Sequence, residues 1–246
     1  MESLWEAIFC AVRVQDGDAV QAWREHDALL SEKCEILNKY QFTELHYENE
    51  DGTDFRVGLV KNHIWEGGSE ESGSGVRFIA NMPTEEVFTM PDYRKAEGKV
   101  VSSRPLSYRG NLIKDFSLTF HEGKVVDFDA REGYDALKQL LDTDEGSKSL
   151  GEVALVPYAS PISEMGILFY NTLFDENASC HLALGECYPT TVQDGEKMNE
   201  EELHQIGGNH SINHVDFMIG HEHMNIKGYT RDGQEVDIMI DGRLQV

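Results

Sequence analysis

The chain has 246 residues, enough for one large domain or two small ones, and 40% of them are hydrophobic. Lysine and arginine total 21 against 45 aspartates and glutamates, a formal charge of −24. Such a field repels nucleic acid and anionic membranes, and it attracts divalent metals or substrates with a free ammonium group.

The chain opens on an amphipathic helix over residues 2–14, where Leu4, Trp5, Ile8, Phe9 and Val12 recur at helical steps. A break at Asp16-Gly17-Asp18 follows, and Asp18 caps a longer helix running to about Tyr40. The texture then changes to strands. FTELHYENEDGTDFRVGLV reads as a hairpin turning at Glu50-Asp51-Gly52. Residues 66–75 are rich in Gly, Ser and Glu and read as a surface loop. Residues 116–120 and 124–128 flank His121-Glu122-Gly123 as a second hairpin, and residues 132 to about 144 are helical. Residues 153–156 and 214–219 read as strands, and Arg231-Asp232-Gly233 turns a third hairpin. The predicted class is α+β: two opening helices, then a mixed, hairpin-rich sheet domain.

No window approaches the ~20 apolar residues of a membrane helix. The start lacks a basic segment of the kind that opens a secretory signal, and no cysteine pair has CxxC spacing. These features predict a cytoplasmic protein with reduced cysteines.

Five segments carry candidate chemistry. In His214-Val215-Asp216, strand alternation sets an imidazole and a carboxylate on one face, as a divalent ion requires or as a structural pair would show. His181 stands among Ala178, Leu182, Ala183 and Leu184, either a hydrogen-bonded core histidine or a ligand. Glu152 opens an apolar strand, so its charge needs a partner or a metal unless it sits at the rim. In NMPTEEVF, Glu85 and Glu86 point to opposite faces if extended, so one can ligate while the other works elsewhere; a solvated acidic turn is the alternative. His221-Glu222-His223 reads as a clip or as a surface loop. Jointly, three carboxylates and two histidines suit two divalent ions in a hydrolase.

At these residues the chain resembles a known family. LWEAIF, GTDFRVGL, NMPTEEVFTMP, SSRPLSYRGNLIKDFSLTF, LGEVALVPYASPIS, FYNTLFDENASCHLALGECY and NHSINHVDFMIG are similar to segments of the thermophilic metallo-aminopeptidases typified by aminopeptidases T and S. The resemblance implies a metallo-aminopeptidase in which Glu86, Glu152, His181, His214 and Asp216 hold two divalent ions, zinc or cobalt, with Tyr188 at the metal centre. Glu85 is expected to act as general acid or base, by proximity alone. Residues 1–246 would form the metal-binding catalytic domain, with the relatives' amino-terminal domain absent. The expected partners are peptides with a free amino terminus and a second copy in a homodimer, with no nucleic acid and no membrane. The rival readings are a weakly active truncated metal-binding domain, or a dinuclear hydrolase of another substrate class.

Overall fold

The computed structural model describes residues 2–15 and 17–246. Helices α1, Glu2–Ala11, and α2, Ala19–Tyr40, open the chain. Asp18 caps α2 through its carboxylate, which accepts the backbone N–H of Val20 and Gln21. α1 is shorter than its apolar periodicity predicts. Arg13 lies at φ +53°, a left-handed conformation that no helix continues, so the apolar pattern outruns the helix. Trp23, Leu30 and Leu37 of α2 are buried, whereas Leu4, Trp5 and Phe9 of α1 remain exposed.

The strands follow in hairpins, and every recorded pairing is antiparallel. They are β1 Glu44–Glu48, β2 Asp54–Leu59, β3 Ser69–Glu71, β4 Arg77–Ile79, β5 Val87–Thr89, β6 Pro91–Val101, β7 Leu106–Tyr108, β8 Asn111–His121 and β9 Lys124–Glu132. Helix α3, Tyr134–Leu141, leads to β10, Leu150–Leu155. Short helices α4, Pro161–Met165, and α5, Thr172–Glu176, precede β11, His181–Gly185. Helix α6, Glu200–Ile206, then comes before β12 His214–Met218, β13 Asn225–Tyr229, β14 Glu235–Ile240 and β15 Arg243–Leu244.

A large sheet runs β15-β14-β13-β1-β2-β6-β8-β7, with β9 also on β8, and a second sheet has the order β12-β11-β10-β5. The stretch expected as a loop over residues 66–75 contributes β3 to a small hairpin with β4. Alternation explains the layering: Leu182 and Leu184 of β11, Val153 of β10 and Phe217 of β12 join the main core together with Phe55, Phe116 and Leu118 of the large sheet. The opposite face of the small sheet is therefore free to carry polar side chains. No helix among the described residues is long and apolar enough to cross a membrane. All four cysteines are free.

Candidate metal centre

The polar face of the small sheet is built by register. Glu152 pairs with Ala183, and Ala183 pairs with Asp216, so the three form one row across β10, β11 and β12. Directly paired residues share a face, so both carboxylates stand on either side of a methyl group. His181 lies two residues before Ala183, and His214 two before Asp216, which puts both imidazoles on that face as well. Gly185 pairs with His214. Ala183 and Gly185 thus form a low floor between the long side chains.

A bulge aims Glu152 into this space. The register of β10 on β11 shifts between Leu150 and Glu152. Gly151 makes the shift possible: a Cβ there would come within 2.0 Å of the Glu186 carbonyl oxygen. Glu86 reaches the site from the residue before β5, whose Val87 pairs with Leu155 of β10.

Two sets of ligand atoms converge. Those of Glu86, Glu152 and His181 lie within 4.8 Å of one another, as do those of Glu152, His214 and Asp216. Glu152 belongs to both: its Oε1 is 3.6 Å from His181 Nε2 and its Oε2 is 3.8 Å from His214 Nε2. The histidines are oriented from behind. His181 Nδ1 donates to the Ser179 carbonyl at 3.1 Å, and His214 Nδ1 donates to the Glu186 carbonyl at 2.8 Å. Each ring then presents a lone pair at Nε2, the arrangement a metal-ligating histidine needs.

Burial makes the group costly as it stands. His181 is inaccessible, and Glu86, Glu152 and Asp216 are each less than 9% exposed. Glu86 Oε2 and His181 Nε2 are 2.8 Å apart but out of line, and both atoms lack a hydrogen-bond partner. Burial, reinforced by the charges of Asp216 and Glu86, raises the Glu152 pKa. Burial alone would depress the His214 pKa, but the hydrogen bond and charge of Asp216 outweigh it and raise it to about 9. Buried carboxylates need a cation, and a mixed carboxylate–imidazole set with two orphaned donor atoms fits divalent metal.

Glu176, at the end of α5, is a member the sequence reading overlooked. Burial, then the neighbouring charge of Asp216, pushes its pKa far up, and the two carboxyls share a hydrogen bond. A carboxylate two residues from a candidate-bearing segment, at the end of an apolar run, was the available signal. Tyr188 stands at the rim, 44% exposed, with its ring 4.6 Å from that of His214 and 6.0 Å from that of Phe88. Partial burial and then the surrounding carboxylates raise its phenol pKa, so it remains a hydrogen-bond donor.

Glu85 is placed otherwise than expected. The structure does not bring it into either ligand group; both its oxygens are taken by the Arg13 guanidinium, with Nη2 to Oε2 at 2.7 Å. A carboxylate gripped in this way is a poor free base. His221 and His223 also stay apart from the centre. His221 Nδ1 accepts the backbone N–H of His223, so its Nε2 carries the proton and faces Asp51 at 3.3 Å. A third cluster, His46, Glu48 and Asp54, lies on β1 and β2, where Arg56 Nη2 already donates to His46 Nδ1 at 3.1 Å.

Comparison with known proteins places the chain in a family. The chain is 52% identical over 242 residues to aminopeptidase 2 of Geobacillus stearothermophilus, covering 98% of this chain and 58% of that protein. It is 54% identical to aminopeptidase AmpS of Bacillus subtilis over 239 residues, or 97% of this chain and 58% of the relative. The solved structure of wild-type AmpT from Thermus thermophilus superposes with a TM-score of 0.91 at 42% identity, covering all of this chain and 59% of that one. The chain therefore spans somewhat under three-fifths of the length of these relatives. Residues 1–244 match the thermophilic metalloprotease (M29) family, and the chain belongs to it.

Proposed function

We propose that this chain carries the catalytic centre of a metal-dependent aminopeptidase that holds two divalent ions, zinc or cobalt. The supporting observation is Glu152, which offers one oxygen to each of two three-ligand groups. In this reading Glu86 and His181 serve one ion, His214 and Asp216 the other, and Glu152 is shared. When bound, the ions lower the pKa of a water and polarise the scissile carbonyl.

The remaining steps belong to the chain's own groups. The Nδ1–H bonds to Ser179 and Glu186 keep both imidazoles in the ligating tautomer. The Tyr188 phenol, at the rim beside His214, donates to the oxyanion that develops on the carbonyl. Acidic groups around the site attract the ammonium of a peptide's free amino terminus, which sets cleavage at the first bond. The aminopeptidase names of the relatives support the same reading. Four unpaired cysteines fit a reducing, cytoplasmic setting. A panel of amino-acid p-nitroanilides tests the proposal. Free amino-acyl substrates should be cleaved and their N-acetyl forms should not; equal rates on both would overturn it.

A further inference from the structure

We infer that Arg13, in the turn between α1 and α2, is a positioning residue for the metal centre: it clamps Glu85 so that the next residue, Glu86, is held among the ligands. The inference rests on the two-ion reading above. It begins from an ion pair that joins positions 72 residues apart, with both Arg13 nitrogens on both Glu85 oxygens. The Glu85 side chain is 4% exposed and that of Arg13 21%. Pairs so buried are seldom worth much as stabilisers, and their better attested use is to select one arrangement.

Two further contacts converge on the same short segment. His26 Nε2 of α2 donates to the Thr84 carbonyl at 2.6 Å. The Glu85 backbone N–H donates to Asn177 Oδ1 at 2.6 Å, and Asn177 Nδ2 is itself anchored on the Leu173 carbonyl at 2.8 Å. Residues 84 and 85 are thus gripped by the helical turn, by α2 and by the end of α5. Glu85 is thus held on Arg13, away from both ligand groups, while the adjacent Glu86 faces His181. The turn is built for delivery. Arg13 takes the left-handed conformation at φ +53°, a strained state for a residue with a side chain, and Trp23 Nε1 pins the preceding Val12 carbonyl at 2.7 Å. A strained backbone bearing a bidentate fork, beside a ligand, is what support of a first-contact residue from behind looks like.

The test reads metal rather than turnover. Metal-free wild type and Arg13→Lys are titrated with Co2+ by calorimetry and by the visible absorption of bound cobalt. Lysine keeps the charge but cannot reproduce the fork. The expected result is a ~10–100-fold weaker affinity in one of the two binding steps, with an altered spectrum, and an unchanged second step. Two unchanged steps would overturn the inference. Equal weakening of both would also overturn it, since general loosening of the fold does that. Should Arg13→Lys fail to show native circular dichroism, Glu85→Gln, at the other end of the pair, carries the same comparison. A wild type that takes up no cobalt would instead overturn the dinuclear reading, and this inference with it.

Discussion

Glu86 Oε2 and His181 Nε2 face each other at 2.8 Å without an aligned hydrogen bond, and each is buried with no other partner. Two lone-pair atoms that approach so closely, with nothing between them to share, are aimed at a common point. That point is where a cation removes the cost of both.

Stability should therefore depend on metal. An ion at ~100 times its dissociation constant stabilises by ~2.7 kcal/mol. For a chain of this size each kcal/mol moves Tm by ~2–4 °C. Scanning calorimetry should show the zinc-loaded protein melting ~5–10 °C above the chelated one. In Glu86→Gln that gap should shrink by at least half, because a neutral amide is a poor ligand for a divalent ion. A gap of the same size in the variant would mean that Glu86 holds no metal.

The floor of the site gives a second prediction. Ala183 is fully buried between Glu152 and Asp216 in the cross-strand row. Ala183→Val adds two methyl groups where the carboxylates converge. It should cost ~1–3 kcal/mol in the metal-free protein through overpacking. It should also weaken cobalt binding at both steps, since the proposed two-ion arrangement places both ions over that floor. Urea unfolding and cobalt titration measure the two effects, and normal metal affinity in a folded Ala183→Val protein would show the floor is not needed.

A third prediction concerns the loop that leads into His214. The Asp144 carboxylate accepts the backbone N–H of Ile212 at 2.8 Å, the Ser211 hydroxyl at 2.8 Å and the backbone N–H of Ser147 at 2.8 Å. Burial opposes ionisation, but these bonds outweigh it and lower the pKa from 3.8 to about 2. A depressed carboxylate stabilises the fold above its unfolded pKa, and the gain fades as pH drops from 3.8 toward about 2. After allowance for solvent screening the gain is ~1 kcal/mol. Asp144→Asn should be less stable by about that amount at pH 7, and the deficit should narrow steadily below pH 3.8. A deficit independent of pH would show that the charge of Asp144 is not the cause.

Much of this was legible from residue order. The Asp-Gly turns at Asp51-Gly52 and Asp232-Gly233 joined the hairpins they predict, because that dipeptide suits the turn whatever surrounds it. Strand alternation set His214 and Asp216 on one face, and an apolar strand around Glu152 pointed to a carboxylate in need of a partner. What escaped depends on contacts between distant segments. Glu85 looked like a free base because Arg13, its partner, stands far away in sequence. Glu176 drew no notice, because its approach to Asp216 depends on where α5 ends in space. The small side chain of Ala183 carried no chemical signal, and its role emerges only from the register of three strands.

The central claim is that one carboxylate serves two ions, and counting ions tests it most directly. Calorimetric titration of the metal-free chain with zinc, checked by elemental analysis of the dialysed product, should saturate close to two ions per chain. Glu152→Gln should lose tight binding at both steps, because Glu152 is the member common to both ligand groups. Saturation of the wild type at one ion, or a Glu152→Gln protein that still binds two, would contradict the account.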